Sequence, residues 1–84
     1  MTKEEKDFLI IEAHPYIGHF LPETETQNVV LAKYKFMGYM ENRHGDEYFP
    51  IAIMVSHDGI QSDEDLSDVV RLFKIASKAS IHGQ

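Results

Sequence analysis

Cysteine is missing from this chain. Its absence removes disulfides, thiolate nucleophiles and cysteine-based zinc sites, and it suits a reducing cytoplasm. Positive charge is scarce: eight Lys and Arg stand against fourteen Asp and Glu, for a net charge of -6. That balance repels a phosphate backbone, argues against direct nucleic-acid binding, and favours basic or apolar partners. No apolar run approaches the ~20 residues that span a bilayer. The opening "MTKEEKDFLII" carries acids where a signal peptide needs basic residues followed by a longer apolar segment. The expectation is a cytoplasmic protein with no membrane contact. Gly18, Gly38, Gly45, Gly59 and Gly83 are scattered and build no phosphate-cradling loop, which argues against nucleotide hydrolysis. Repeats, low-complexity tracts and linkers are also lacking, so residues 1–84 read as one domain. A domain of this length buries only about 60–65% of its unfolded surface, so help from a partner or a second copy is expected.

What is present is mostly local pattern. Thr2-Lys3-Glu4-Glu5 fits a capping box, which predicts a first helix through about Ala13. The contiguous Phe8-Leu9-Ile10-Ile11 suits a buried strand as well as a helix, and Pro15 should end or kink any helix at His14. From Thr24 to Met40 the pattern alternates, with Val30, Ala32, Tyr34 and Phe36 on one side. Residues 48–56 alternate too, with Phe49, Ile51, Ile53 and Val55 on one face. A four-residue loop at 43–46 would join them as a hairpin, about 28–42 and 47–56, pairing Asn42 with Glu47, Met40 with Phe49, Gly38 with Ile51, Phe36 with Ile53 and Tyr34 with Val55. Pro50 suggests that the second strand lies at an edge.

After Asp58-Gly59, Ser62-Asp63-Glu64-Asp65 resembles a second capping box and predicts a helix over about 62–80. Its core stripe is Leu66, Val69, Val70, Phe73 and Ser77 or Ala76, with Ile81 a continuation. The fold class is α+β in the order α-β-β-α, with a third strand expected, if there is one, from the first segment or Thr24–Asn28.

Ser56-His57-Asp58 has the residue types of a nucleophilic triad. Neighbouring strand residues project to opposite faces, so three in a row cannot form the Ser-to-His-to-carboxylate relay, and the glycine-flanked nucleophile turn is lacking. The five histidines show no metal-ligand spacing, and no His-Glu-x-x-His pair exists. No metal and no cofactor is expected. The acids of "SDEDLSD" lack the alternating ligands and central glycine of a calcium loop. Lys33-Tyr34-Lys35-Phe36 mixes bases with aromatics, which alternation in a half-buried strand explains without a ligand.

Three surfaces stand out as candidates. The hairpin face opposite the predicted core would carry Met37, Tyr39, Tyr48 and Met54, residue types common at recognition surfaces. The last helix has an extra apolar row, Leu72, Ile75 and Ala79, which suggests a homodimer interface. Asp46, Glu47, Asp63, Glu64 and Asp68 fall in a stretch without Lys or Arg and would form an acidic patch if they converge. The expected function is non-enzymatic: an acidic inhibitor or adaptor acting by protein contact, of the kind mobile elements direct at host nucleic-acid machinery. The second expectation is a small-molecule binder or minor enzyme with a pocket at a dimer interface, using His14, His19 or His57.

Overall fold

A computed structural model describes residues 1–22 and 33–82, with only the backbone described over 77–82. The elements are α1 (Lys3–Ala13), a 3-10 turn (His14–Tyr16), β1 (Tyr34–Met40), β2 (Arg43–His44), β3 (Glu47–Tyr48), β4 (Ile51–Ser56), β5 (Gln61–Asp65) and α2 (Leu66–His82). Strands β1, β4 and β5 form an antiparallel sheet in the order β1-β4-β5, and β2 pairs with β3 as a two-stranded extension. The chain is therefore α+β, with the C-terminal helix packed on the sheet, as its patterning predicts. No helix among the described residues is long and apolar enough to cross a membrane.

The start of α1 follows its sequence signal. The Glu5 amide donates to the Thr2 hydroxyl at 3.2 Å, and the Thr2 amide donates to the Glu5 carboxylate at 2.9 Å. That second bond holds the Glu5 carboxyl below its ordinary pKa. Pro15 ends the α-helix and opens the 3-10 turn. Four consecutive apolar residues cannot share one helical face. Leu9 is buried, whereas Phe8 and Ile11 are 63% and 69% exposed.

The hairpin exists as predicted, but its register does not. The loop is two residues, Gly45 and Asp46, with His44 opposite Glu47 and Arg43 opposite Tyr48. Gly45 has φ of 64° at the first central position, the conformation a tight hairpin turn needs there. The Phe49 amide donates to the Asn42 carbonyl at 2.7 Å, and Met40 consequently pairs with Ile51, not with Phe49. A bulge between Phe36 and Gly38 then adds Met37 as an extra residue, and Gly38 takes a φ of 132°. Beyond it Phe36 pairs with Met54, Lys35 with Val55 and Tyr34 with Ser56. The bulge reverses the facing of β1 relative to β4. Ala52 and Met54 therefore line the core, and Ile51, Ile53, Val55 and the exposed Phe49 do not. Residues 28–32 of the predicted strand lie outside the described residues.

The third strand is not where the sequence suggests. Thr24–Asn28 lies outside the described residues, the first segment is helical, and 61–65 is strand where a helix start is predicted. The Asp58-Gly59 turn brings the chain back along β4, setting Val55 opposite Gln61, Ile53 opposite Asp63 and Ile51 opposite Asp65. Pairing the open edge of β4 outweighs the poor strand propensity of these acids. The helix start moves to Leu66, where Asp65 supplies the cap by accepting the Ser67 amide at 2.9 Å. This order also makes β4 central, so Pro50 does not mark an edge. It is buried just ahead of β4, where its missing N–H removes no ladder bond, and its carbonyl accepts the Leu66 amide at 3.1 Å.

The core lies between the sheet and the helices. Phe36, Ala52 and Met54 meet Leu66, Val69, Val70 and Phe73 of α2 and Leu9 and Ala13 of α1, closed by Leu21. The α2 stripe matches the predicted one, with Ala76 buried, while Ser77 and Ile81 are not described as side chains. Tyr16 stacks on Phe73 at 4.6 Å, and Glu12 forms an ion pair with Lys74, which joins the two helices.

Candidate functional site

Alternation along β4 sends Ile51, Ile53 and Val55 away from the helices. Their neighbours on the same face follow from the two ladders: Met40, Ile51 and Asp65 form one row, Gly38, Ile53 and Asp63 the next, and Lys35, Val55 and Gln61 the third. The aliphatic side chains lie along the middle, with acids along the β5 side. Gly38 has no side chain to shield Ile53. None of Ile51, Ile53 and Val55 belongs to the core or packs against it, and no described helix lies on this face.

The four residues predicted for the outer hairpin face are divided. Met37 is exposed, at the bulge. Tyr39 is half-buried and packs against the core. Tyr48 is half-buried beneath two cations, Lys6 Nζ at 4.9 Å and Arg43 at 5.7 Å from its ring centroid. Met54 is 0% exposed, so it cannot touch a partner: the bulge turns it inward.

The acids are divided too. Asp46 sits exposed at the hairpin tip, and Glu47 meets the Met1 amine at 2.6 Å. Asp63 is exposed on the outer face, accepting from Gln61 at 2.9 Å, whereas Glu64 lies on the helix-covered side and accepts the Ser62 hydroxyl. Asp68 pairs with Arg71 at 2.6 Å on α2. Of the proposed dimer row, Leu72 packs against the core, Ile75 is exposed, and the Ala79 side chain is outside the described residues.

Lys6 is the one buried charged residue among those described. Its ammonium lies 3.1 Å from Asp7 and 3.2 Å from Glu41, tying α1 to the base of the hairpin. The bond to Asp7, with a smaller one to Glu41, raises the Lys6 pKa against the opposing effect of burial, and it lowers that of Asp7.

At the far end of the sheet, beyond Val55, a cleft of about 440 Å³ is lined by Phe20, Lys33, Tyr34, Ser56, His57, Asp58 and Ile60. The chain before β1 forms one wall: Phe20 bridges to Lys35, and the Leu21 amide donates to the Tyr34 carbonyl at 3.1 Å. The β4–β5 turn forms the other. The Ser56 hydroxyl oxygen accepts the Ile60 amide at 3.1 Å, so it closes the turn. Among the described residues no hydrogen bond joins the Ser56, His57 and Asp58 side chains, and the relay that would activate a serine is not assembled. The His57 ring lies 5.3 Å from that of Phe20. Of the three histidines expected at a pocket, His57 lines this one and His14 and His19 do not. No group of three or more His, Asp or Glu among the described residues is placed to hold a metal ion. Sequence reading missed the cleft, because its walls come from three separate segments. The mixed bases and aromatics of Lys33-Tyr34-Lys35 are the signal that could have found it.

Compared with known proteins, the chain matches no family model, no curated protein and no solved structure.

Proposed function

We propose that this protein acts by contact with another protein, not by catalysis, and that the outer sheet face makes the contact. The observation that carries this reading is the row Ile51, Ile53 and Val55, three aliphatic side chains on a sheet face that no described helix covers, with Asp63 and Asp65 beside them. Recognition surfaces combine an apolar centre with a polar rim. The acidic rim selects a partner whose apolar residues are flanked by Lys or Arg, and the net charge of -6 speeds encounter with such a surface. Surfaces built for nucleic acid are basic in this way. An acidic inhibitor or adaptor of nucleic-acid machinery, of the kind mobile elements use against a host, fits this chemistry, and the cysteine-free chain suits contact in the cytoplasm.

The test is differential capture from an extract of the cells that make the protein. The unaltered chain is compared with an Ile51→Ser, Ile53→Ser variant whose circular dichroism shows it folded. The expected result is a partner with a basic surface, retained stoichiometrically by the unaltered chain, released by salt and lost by the variant. Equal retention by both proteins, or no retained protein, overturns the reading.

A further inference from the structure

We propose that the cleft at the end of the sheet binds a small molecule consisting of a flat ring with an anionic group. Its volume of about 440 Å³ falls within the range of small-molecule sites. Its walls offer both chemistries such a ligand needs. Phe20 and His57 present rings tilted at 41° to one another, Tyr34 adds a third, and apolar surface is left open there, with Phe20 43% and Ile60 58% exposed.

The charge distribution identifies the other half of the ligand. Lys3 and Lys6 pair with Asp7, Arg71 with Asp68 and Lys74 with Glu12. Arg43 donates to the Gly45 carbonyl at the hairpin tip. Lys33 and Lys35 have no carboxylate partner among the described residues, and of the two Lys33 lines the cleft while Lys35 contacts one of its walls, Phe20. The Lys35 ammonium lies 5.7 Å from the centroid of the Phe20 ring. Asp58 offsets only part of that positive charge. Besides Arg43 at the hairpin tip, the described cations without a carboxylate partner are Lys33 in this cleft and Lys35 beside it, in a chain of net charge -6. The Ser56 hydroxyl, whose oxygen already accepts the Ile60 amide, keeps its proton to donate to an anion. A ring seated against Phe20 and His57 places its anionic group within reach of Lys33, while Asp58 accepts from a ring N–H or O–H.

The site needs no partner protein, so it can be tested on the isolated chain by amide NMR titration. Adenosine 5′-monophosphate and 4-hydroxybenzoate serve as ring-bearing anions, with adenosine and inorganic phosphate as controls carrying one feature each. Saturable shifts are expected at Phe20 and His57–Ile60 with at least one ring-bearing anion, and the tighter of the two shows whether the ring is a nucleobase or a simple aromatic acid. Each control should bind about tenfold more weakly, a difference of about 1.4 kcal/mol. Lys33→Gln and Phe20→Ser, each with an otherwise unchanged spectrum, should each weaken binding about tenfold. The proposal is overturned if neither ring-bearing anion saturates at millimolar concentration, if the shifts map away from the cleft, or if phosphate alone binds as tightly.

Discussion

On the side of the sheet that the helices cover, Phe36 of β1 and Ala52 and Met54 of the central strand β4 are fully buried; on the other, Ile51, Ile53 and Val55 of β4 stay partly open to solvent. Bulk apolar character does not separate the two sets, since the outer one is the more β-branched and contains no alanine. What separates them is the bulge at Met37, which fixes which residues of β1 accompany which residues of β4. The inner set meets Leu66, Val69, Val70 and Phe73, and the outer set lies opposite Asp65, Asp63 and Gln61 of β5. A strand can thus be apolar on both faces while only one of them is packed into the core.

The comparison can be broken most severely at Phe36. Phe36→Ala should cost about 3–5 kcal/mol, the usual penalty for emptying a buried aromatic site, read from urea unfolding beside the milder Phe36→Leu. That is a large share of the 5–15 kcal/mol that holds a typical domain together. Next in size, Ala52→Ile adds bulk to the filled side and should cost about 1–3 kcal/mol. The matched change outside, Ile53→Ala, should cost less than about 1 kcal/mol, because that side chain is not part of the core. Had β1 and β4 paired without the bulge, with Ile53 on the same face as Phe36, Ile53→Ala would be the costlier of the two β4 changes, and the pair of melts distinguishes the two arrangements.

The smallest effect concerns Lys6 at the base of the hairpin. The raised pKa of Lys6 means that its contribution is complete below the unfolded lysine value of about 10.4 and fades as pH rises through the higher folded value. The lowered pKa of Asp7 means that its contribution is complete above about 3.9 and fades as pH falls through the lower folded value. Calorimetry of the parent and of Lys6→Met should therefore show a melting-temperature difference that is constant between about pH 5 and 10 and shrinks beyond both ends.

Features decided within a few residues were legible in the sequence. The Thr2–Glu5 cap, the stop at Pro15, the α2 stripe and the Asp58-Gly59 turn all depend on neighbours along the chain. The register was not legible, because an alternating strand carries no mark of a bulge except a glycine such as Gly38, and a glycine alone does not say that one is there. Nor was β5: acids preceding an apolar stripe favour a helix start locally, and only the open edge of β4 makes them a strand. The candidate surfaces depended on the register, so Met54 moved inward and Ile53 outward. The cleft depended on three segments meeting, which no single window of sequence can show.

The edges of the sheet carry a consequence for crowded solution. Along Tyr34–Phe36 the outer edge of β1 is already occupied by the chain's own Gly18–Leu21, through bonds such as Gly18 N–H to the Phe36 carbonyl at 2.7 Å. The opposite edge, β5, carries Asp63, Glu64 and Asp65 in succession, so pairing it with a second β5 would set carboxylate against carboxylate. Ribbon growth, the route by which small sheets pass into fibrils, is hindered along both. A variant that turns Asp63 and Asp65 into threonines removes the charge repulsion from the β5 edge and would be the one to watch for gelation.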